Sequence, residues 1–295
     1  MNEPNPVLRR LGLSDSDRAV IIHADDIGMC HASITAYAKL IEAGGISSAA
    51  LMPPCSWFPA AAAFCRAHPD VDMGVHTTLT CEWDSYRWGP LSTRDPASGL
   101  MDDEGCFHRA TPEAQQHATP TAVQRELAAQ GERARAAGIP LTHIDTHMGA
   151  VMHASLIQGY AQLALQHHLV PMIPRLDEAR LRQRGMSVDD ARATARFFQD
   201  LQSAGVPLID HITGMPLSDP RDQLDYAQRA FDALLPGVTV FILHPAEDTP
   251  ELRAIAPDWP SRVANFETFM RPEIPRYLKQ IGAHVIGYRA LQALL

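Results

Sequence analysis

Residues 18–30 read RAVIIHADDIGMC, an apolar run that ends in two adjacent aspartates, Asp25 and Asp26. The run RAVII is typical of a buried β-strand, and HASITAYAKLIEAGG, which follows it at 31–45, has the spacing of an amphipathic helix. The two carboxylates are therefore predicted to lie where a strand ends. Because like charges side by side repel, one such group usually shifts its pKa or binds a cation. This stretch thus predicts both the first strand of an α/β fold and a polar site at its carboxyl end.

The same order of apolar run and helical pattern repeats along the chain, with glycines where several helices are expected to end. Such alternation predicts a mostly parallel sheet. Seven or eight units in 295 residues indicate a closed or nearly closed β/α barrel, with an open doubly wound sheet as the alternative. No G-x-G-x-x-G motif follows the first strand, so a dinucleotide site has no support. Strands are predicted at 18–26, 46–54, 71–79, 141–147, 170–176, 206–212, 238–245 and 283–288, and helices at 31–43, 59–68, 121–138, 154–168, 188–204, 221–235 and 261–281.

The composition excludes several classes of protein. The net charge is −9 with scattered basic residues, whereas a nucleic-acid-binding surface needs a clustered basic patch. No run reaches the roughly 18 apolar residues of a membrane span, and the first residues lack the apolar segment of a secretory signal. Five cysteines without a C-x-x-C pair fit reduced thiols in a cytoplasmic protein. We expect residues 1–295 to form one domain; the oligomeric state stays open, and a homo-oligomer is possible.

One segment, residues 80–120, interrupts the alternation. It has no sustained periodicity and is rich in Pro, Gly and Asp. A connection of this length inside a compact domain is usually functional or disordered. Three aromatic residues, Trp83, Tyr86 and Trp88, favour an ordered loop. They either pin the loop to the barrel or face a ligand, in which case the loop forms a lid over the barrel mouth.

Polar residues recur at the ends of the predicted strands, and this repeated position is the signal for a site. In β/α barrels the active site lies at the carboxyl ends of the strands. The residues in question, besides the aspartate pair, are His76, His143, Asp145, His147, Arg175, Asp210, His211 and His244.

A cation bound at this end would neutralise the aspartate pair. Catalytic metal sites commonly take three protein ligands; histidine with carboxylate suits zinc, and carboxylate-rich variants accept magnesium or manganese. One aspartate of the pair, His76 and one histidine of the 143–147 strand could supply such a set, leaving the second aspartate to accept a proton. The alternatives are structural: the aspartates as a helix N-cap, His76 as a hydrogen-bonded core residue, and His211 paired with Asp210 or the backbone.

The motifs resemble those of the YdjC-like family of carbohydrate deacetylases, also called the ChbG/HpnK family. The family's N-A-D-D-F-G motif reads HADDIG here, so His23 replaces the usual Asn, and its G-x-H-x-x-L-T motif reads GVHTTLT at 74–80. The family's T-H-x-D-S-H motif reads THIDTH at 142–147, and FILHPAED at 241–248 matches its strand ending in His-Pro. After the third motif many members carry further histidines where this chain has MGAV at 148–151, which leaves the particular sugar open.

The resemblance implies a distorted β/α barrel related to polysaccharide deacetylases, and hydrolysis of an N-acetyl group on an amino sugar or short oligosaccharide. It implies a divalent metal ion, zinc or magnesium, bound by Asp26, His76 and His147. Asp25 would be the general base and His244 the general acid. Arg175 would contact the substrate or steady a neighbouring carboxylate, and the aromatic residues Trp83, Tyr86 and Trp88 could stack on sugar rings.

Two other functions remain open from the sequence. One is a metal-dependent β/α-barrel hydrolase or isomerase of another type; the common amidohydrolase barrel is disfavoured, because HADD does not contain the H-x-H expected on its first strand. The other is a non-catalytic sugar-binding protein on the same fold, which would be expected to have lost Asp25 or a ligand residue.

Overall fold

The computed structural model describes residues 4–295 and contains a parallel β-sheet curved into a distorted β/α barrel, which confirms the predicted fold class. Every strand pair is parallel, in the order β5-β4-β3-β2-β1-β7-β6, with β8 pairing the start of β1. A backbone bridge between Pro174 and Ile209 joins the two ends of this order. The strands are Arg18–Ile27 (β1), Ser48–Leu51 (β2), Met73–Thr77 (β3), Leu141–Thr146 (β4), Val170–Pro171 (β5), His211–Gly214 (β6), Gly237–Leu243 (β7) and Ala283–Val285 (β8).

Helices follow most of the strands, as the alternation predicts. The predicted helix at 261–281 is wrong as a single element, because two helices occupy this range and Pro272 stands at the N-cap of the second; proline lacks the N–H that would continue the first. The α-helices are Pro6–Arg10 (α1), His31–Ala43 (α2), Phe58–Ala67 (α3), Thr111–His117 (α4), Pro120–Ala136 (α5), Ile157–Gln166 (α6), Glu178–Gln183 (α7), Val188–Ser203 (α8), Gln223–Asp232 (α9), Pro250–Ile255 (α10), Trp259–Phe269 (α11), Glu273–Gln280 (α12) and Tyr288–Gln292 (α13). Short 3-10 turns lie at Pro96–Ser98 and His147–Gly149.

Burial follows the strand pattern. The central strand β1 is buried at every residue from Ala19 to Ile27, as expected for a parallel strand covered on both faces. The largest apolar cluster contains residues from β1 through α12 and from the 80–120 segment. The five cysteines are all free, and no helix in the described part of the chain is long and apolar enough to cross a membrane.

The 80–120 segment is an ordered loop packed on the barrel. Trp83, Trp88 and Phe107 are buried in the main apolar cluster. Single backbone bridges link Thr80 to His108 and Met101 to Phe107. The segment therefore has little regular structure of its own and is held by side chains that enter the core, which is why its sequence shows no periodicity.

Candidate metal centre and active site

The site lies at the carboxyl ends of the parallel strands. Asp25 and Asp26 lie near the end of β1, His76 in β3, His147 directly after β4 and His244 directly after β7. The predicted helix-cap alternative for the aspartates is wrong, because α2 begins after Cys30 as its N-cap.

A backbone irregularity brings both aspartates to the same side of β1. Consecutive side chains of a regular strand point to opposite faces. Here the pairing of β1 with β2 shifts register between Ala24 and Ile27, and Asp26 has a left-handed φ of 63°. Oδ2 of Asp25 and Oδ1 of Asp26 consequently lie 3.8 and 3.3 Å from Nε2 of His76. A left-handed backbone at a non-glycine residue costs free energy and persists where the surrounding contacts hold it in place.

Asp26, His76 and His147, the set that the family resemblance implies as metal ligands, lie together as a candidate metal-binding group. Oδ1 of Asp26 lies 3.3 Å from Nε2 of His76 and 3.3 Å from Nδ1 of His147, and the two nitrogens are 3.3 Å apart. With bonds of about 2.0–2.1 Å, neighbouring ligands of a tetrahedral zinc ion are about 3.3–3.4 Å apart. Oδ1 of Asp26 is buried without a hydrogen-bond partner among the described residues. The three side chains therefore fit a divalent ion.

Each of these three side chains is also hydrogen-bonded to a charged side chain outside the candidate metal-binding group. Nδ1 of His76 donates to Oδ1 of Asp145 at 2.8 Å, and Nε2 of His147 donates to Oε2 of Glu82 at 3.0 Å. Because Asp145 and Glu82 each bind one nitrogen of a ring, the other nitrogen faces the site, Nε2 in His76 and Nδ1 in His147. Such carboxylate–histidine pairs are the usual outer partners of metal-binding histidines.

The third outer partner is Arg262 of α11, which donates to Oδ2 of Asp26 at 2.7 Å and to Asp258 at 2.9 Å. The guanidinium is buried and lies 5.3 Å from the ring centroid of Trp83. With Oδ2 occupied in this way, Asp26 can offer its other oxygen, Oδ1, to an ion.

Two further groups of possible ligands overlap with this one, and both contain Asp145: His23 with His143 and Asp145, and Asp25 with His76 and Asp145. The two oxygens of Asp145 already accept from His23 and His76. Asp26, His76 and His147 are therefore the set whose inward atoms remain available to a metal.

Carboxylates dominate the charge of the site. Asp25, Asp26, Glu82 and Asp145 all pair with imidazoles, and among the described residues one arginine, Arg262, pairs with a member of this group, Asp26. Four acidic groups around one permanent cation favour a divalent ion, which would replace imidazole protons as the compensating charge.

The pKa shifts follow from this charge. Burial alone would lower the pKa of His147, but Glu82 and Asp26 raise it to about 9. Burial alone would raise the pKa of Asp26, but Arg262 and the neighbouring imidazoles hold it well below its ordinary value. In the metal-free protein, protons on the histidines therefore take the place of an ion.

Asp25 and His244 lie beside the candidate metal group. Nε2 of His244 is 3.7 Å from Oδ2 of Asp25. The backbone N–H of His244 donates to Oδ1 of Asn265, which fixes the end of β7 against α11. Burial lowers the pKa of His244 and outweighs the opposing effect of Asp26 and Asp25. The site thus combines a carboxylate and an imidazole within reach of the same space.

Comparison with known proteins is consistent with this arrangement. The family model described as YdjC-like protein matches residues 19–280. The chain belongs to the YdjC-like family. A protein of Thermus thermophilus named carbohydrate deacetylase is 32% identical over 290 residues, covering 98% of this chain and 99% of the relative. A carbohydrate deacetylase of Brevibacillus brevis is 32% identical over 160 residues, covering 53% of this chain and 60% of the relative.

Among solved structures, a candidate cellobiose-phosphate cleavage protein of Enterococcus faecalis has the same fold as this YdjC-like protein. Its TM-score is 0.77 at 21% sequence identity, covering 94% of this chain and 99% of that protein. At this identity the similarity supports the fold alone, and the chemistry has to be argued from the residues of the site.

The aromatic residues of the 80–120 segment lie next to residues of the YdjC-like site, with the ring centroid of Trp88 6.4 Å from that of His147. Trp83 and Trp88 are 4% and 5% exposed and pack edge to face, and Nε1 of Trp88 donates to the carbonyl of Thr80. Tyr86 is half-buried, and its hydroxyl donates to the carbonyl of Met29. Burial of both tryptophans favours the pinning role over stacking on a sugar.

Arg175 lies far from the candidate metal group. Its guanidinium donates to Oδ1 of Asp210 at 2.7 Å, and Oδ2 of Asp210 accepts from the backbone N–H of Val238 at the start of β7. Val238 pairs with Ala19, six residues before Asp25 and therefore roughly 20 Å along β1. Of the two roles predicted for Arg175, its contacts support the one of steadying a carboxylate.

Sequence reasoning missed Glu82, Arg262 and the position of His23 as parts of the site. Glu82 follows the GVHTTLT motif by two residues, a proximity that could have suggested it. Arg262 is 236 residues from Asp26, and no local pattern distinguishes it from other helical arginines. His143, whose role the sequence left open, is buried and stacks on Tyr288 with ring centroids 3.8 Å apart.

Proposed function

We propose that this YdjC-like protein is a metal-dependent carbohydrate deacetylase, a hydrolase that removes the N-acetyl group of an amino sugar or short oligosaccharide. The observation that carries the proposal is the group of three inward atoms, on Asp26, His76 and His147, at mutual distances of 3.3 Å beside Asp25 and His244. The name of the Thermus relative, which aligns over nearly the whole chain, supports the carbohydrate substrate class.

Asp26, His76 and His147 would hold the divalent ion. Two imidazoles and one carboxylate suit zinc, whereas magnesium prefers oxygen ligands. A divalent ion bound there supplies Lewis-acid activation of water and of the acetyl carbonyl. The outer partners Asp145 and Glu82 keep the imidazoles in the orientation that this binding requires.

Asp25 and His244 would move the protons. Asp25 accepts the proton of the attacking water as the new carbon–oxygen bond forms at the acetyl carbonyl. The carbon–nitrogen bond then breaks, and His244 donates a proton to the leaving nitrogen, which gives acetate and the free amino sugar. Because burial lowers the pKa of His244, activity that depends on its protonated form should already decline as the pH rises through a value below the ordinary histidine pKa of about 6.5.

We propose further that residues 1–295 form a single domain. We also propose that it acts in the cytoplasm, where cysteines are usually reduced, since its five cysteines are free. The 80–120 segment would form one wall of the sugar site. Of the three aromatic residues, Tyr86 is the most exposed, because both tryptophans are buried, and it is therefore the one that we expect to contact a sugar.

Acetate release tests the proposal. The purified protein, loaded with zinc or magnesium, is incubated with a panel of N-acetylated sugars and short oligosaccharides, and the same panel is run after chelation. We expect release by the loaded protein, loss on chelation and recovery on return of the ion. Asp25→Asn is the matched control: it should bind the ion with the wild-type affinity and release little acetate.

Two results would contradict the proposal. Absence of release by the loaded protein across the whole panel would exclude the deacetylase function and leave a sugar-binding role. Full activity in protein shown by elemental analysis to contain no metal would exclude the metal dependence.

A further inference from the structure

His23 connects two carboxylates of the site through one nitrogen atom. It lies in β1 and is fully buried. Its Nε2 lies 2.9 Å from Oδ2 of Asp145 and 3.1 Å from Oδ1 of Asp25. Oδ1 of Asp25 is itself buried and accepts no hydrogen bond from the described residues. The one N–H at Nε2 of His23 donates to Asp145, and Oδ1 of Asp25 lies 3.1 Å from the same nitrogen without an aligned hydrogen bond, so that N–H stabilises the oxygen electrostatically.

The two oxygens of Asp25 have different surroundings as a result. Oδ1 faces His23, whereas Oδ2 lies 3.7 Å from Nε2 of His244 and 3.8 Å from Nε2 of His76. One oxygen is therefore directed into the protein and the other toward the candidate metal group. A carboxylate that must accept a proton from one direction needs this kind of orientation.

The His23 ring is fixed by its neighbours. It packs edge to face on His143 and Tyr288, with ring centroids 5.0 and 5.7 Å away. His143 itself occupies space that is open only because residue 74 is glycine, since a Cβ there would lie 2.3 Å from Nε2 of His143. An imidazole enclosed in this way cannot swing away from the two carboxylates without disturbing the packed rings.

We propose that His23 is a positioning residue that orients Asp25, so that Oδ2 of Asp25 faces the reacting water. The inference rests on the proposed function. The N–H group of His23 matters for this role more than its ring, because the ring makes packing contacts while the N–H contacts the carboxylates. Asparagine, the residue in the related motif N-A-D-D-F-G, also carries an N–H donor and is the natural replacement to test.

The test compares His23→Phe, which keeps an aromatic ring without the donor, with His23→Asn, which keeps a donor without the ring. His143→Phe is the matched control, since it makes the same change in the neighbouring buried imidazole. For each metal-loaded protein we measure kcat and KM for acetate release, metal affinity by calorimetry and the melting temperature. If His23→Phe does not fold, His23→Ala replaces it as the variant without a donor.

We expect His23→Phe to lower kcat by about 10- to 100-fold, the usual range for outer partners of a site, with KM and metal affinity within about threefold of wild type. His23→Asn should recover most of the kcat. His143→Phe should lower the melting temperature with little change in kcat. An unchanged kcat in His23→Phe, an equal loss in His143→Phe, or a parallel loss of metal affinity and kcat would each overturn the positioning role.

A crystal structure of metal-loaded His23→Phe gives a readout that does not depend on activity. We expect the Asp25 carboxylate to rotate or to lose its single conformation. An unmoved Asp25 would overturn the inference even if the wild-type protein released acetate. If the wild type released none, the proposed function would fail, and the position of Asp25 would still decide the inference.

Discussion

Glu82→Ala should weaken metal binding without touching a ligand. The substitution removes the carboxylate that accepts from Nε2 of His147 at 3.0 Å. Losing an outer partner of a ligating histidine typically costs 10- to 100-fold in metal affinity. The Glu82 side chain is 23% exposed, so water can replace part of the interaction. We therefore expect the lower end of that range, about tenfold or about 1.4 kcal/mol.

Asp145→Asn should cause the larger loss of metal affinity. Its side chain is 0% exposed and lies 2.8 Å from Nδ1 of His76, so water cannot take its place. An asparagine has one acceptor oxygen where Asp145 has two, so its NH2 group must face the N–H of either His76 or His23. Together with the lost negative charge, this leads us to expect about a 100-fold loss of affinity, or about 2.7 kcal/mol.

Titration calorimetry of zinc into chelator-treated protein measures both losses. Asp84→Ala is the matched control for Glu82→Ala, because Asp84 is a nearby carboxylate, 96% exposed and paired with Arg109. It removes the same charge without a contact to His147. Equal affinities for Glu82→Ala and Asp84→Ala would refute the reasoning, and so would a larger loss in Glu82→Ala than in Asp145→Asn.

Three further predictions concern acid catalysis, the loop aromatics and pH. His244→Asn should cost about 100-fold or more on an acetamide and much less on an activated acetate ester, whose leaving group needs no proton; equal losses would remove the acid role. Trp83→Ala and Trp88→Ala should each cost about 3–5 kcal/mol in unfolding free energy and affect short and long substrates alike, whereas a KM increase confined to oligosaccharides would assign stacking. In the metal-free protein the carboxylates overcome burial and raise the pKa of His23 and His147 to about 9. The contribution of these two protonated histidines to the free energy of unfolding is therefore complete below the histidine pKa of the unfolded chain, about 6.5, and is lost as the pH rises through about 9. Urea denaturation in chelator should show stability falling over this interval, and a flat profile would contradict it.

The sequence predicted the parts of the site that lie at strand ends. Asp25, Asp26, His76 and His147 each follow or close an apolar run, and the parallel sheet brings such positions to one edge. Most predicted strands and helices overlap those of the structure, because burial on both faces and helical amphipathicity leave clear patterns. The bounds predicted at 206–212 and 170–176 are wrong, since β6 begins only at His211 and is largely exposed, and β5 is two residues long.

The supporting residues could not be predicted in the same way. Glu82 belongs to a segment without periodicity, and Arg262 reaches Asp26 from a helix 236 residues away. Their roles arise from tertiary packing, which leaves no local spacing to read. The nitrogen that each histidine presents is likewise set by Asp145 and Glu82, so the two rings face the site through different atoms although both appear simply as histidine in the sequence.

The adjacent aspartates have different surroundings, and for this reason we propose different roles for them. Arg262 takes Oδ2 of Asp26 and leaves Oδ1 between His76 and His147, which suits a ligand. His23 faces Oδ1 of Asp25 and leaves Oδ2 toward His244, which suits a base. The left-handed backbone at Asp26 places both on one side of the strand, but it does not distinguish them. In the roles that we propose, the distinction comes from the group next to each carboxylate. Arg262, a permanent cation, would keep Asp26 charged for a metal. His23, whose Nε2 also contacts Asp145, would orient Asp25 and leave one of its oxygens able to accept a proton.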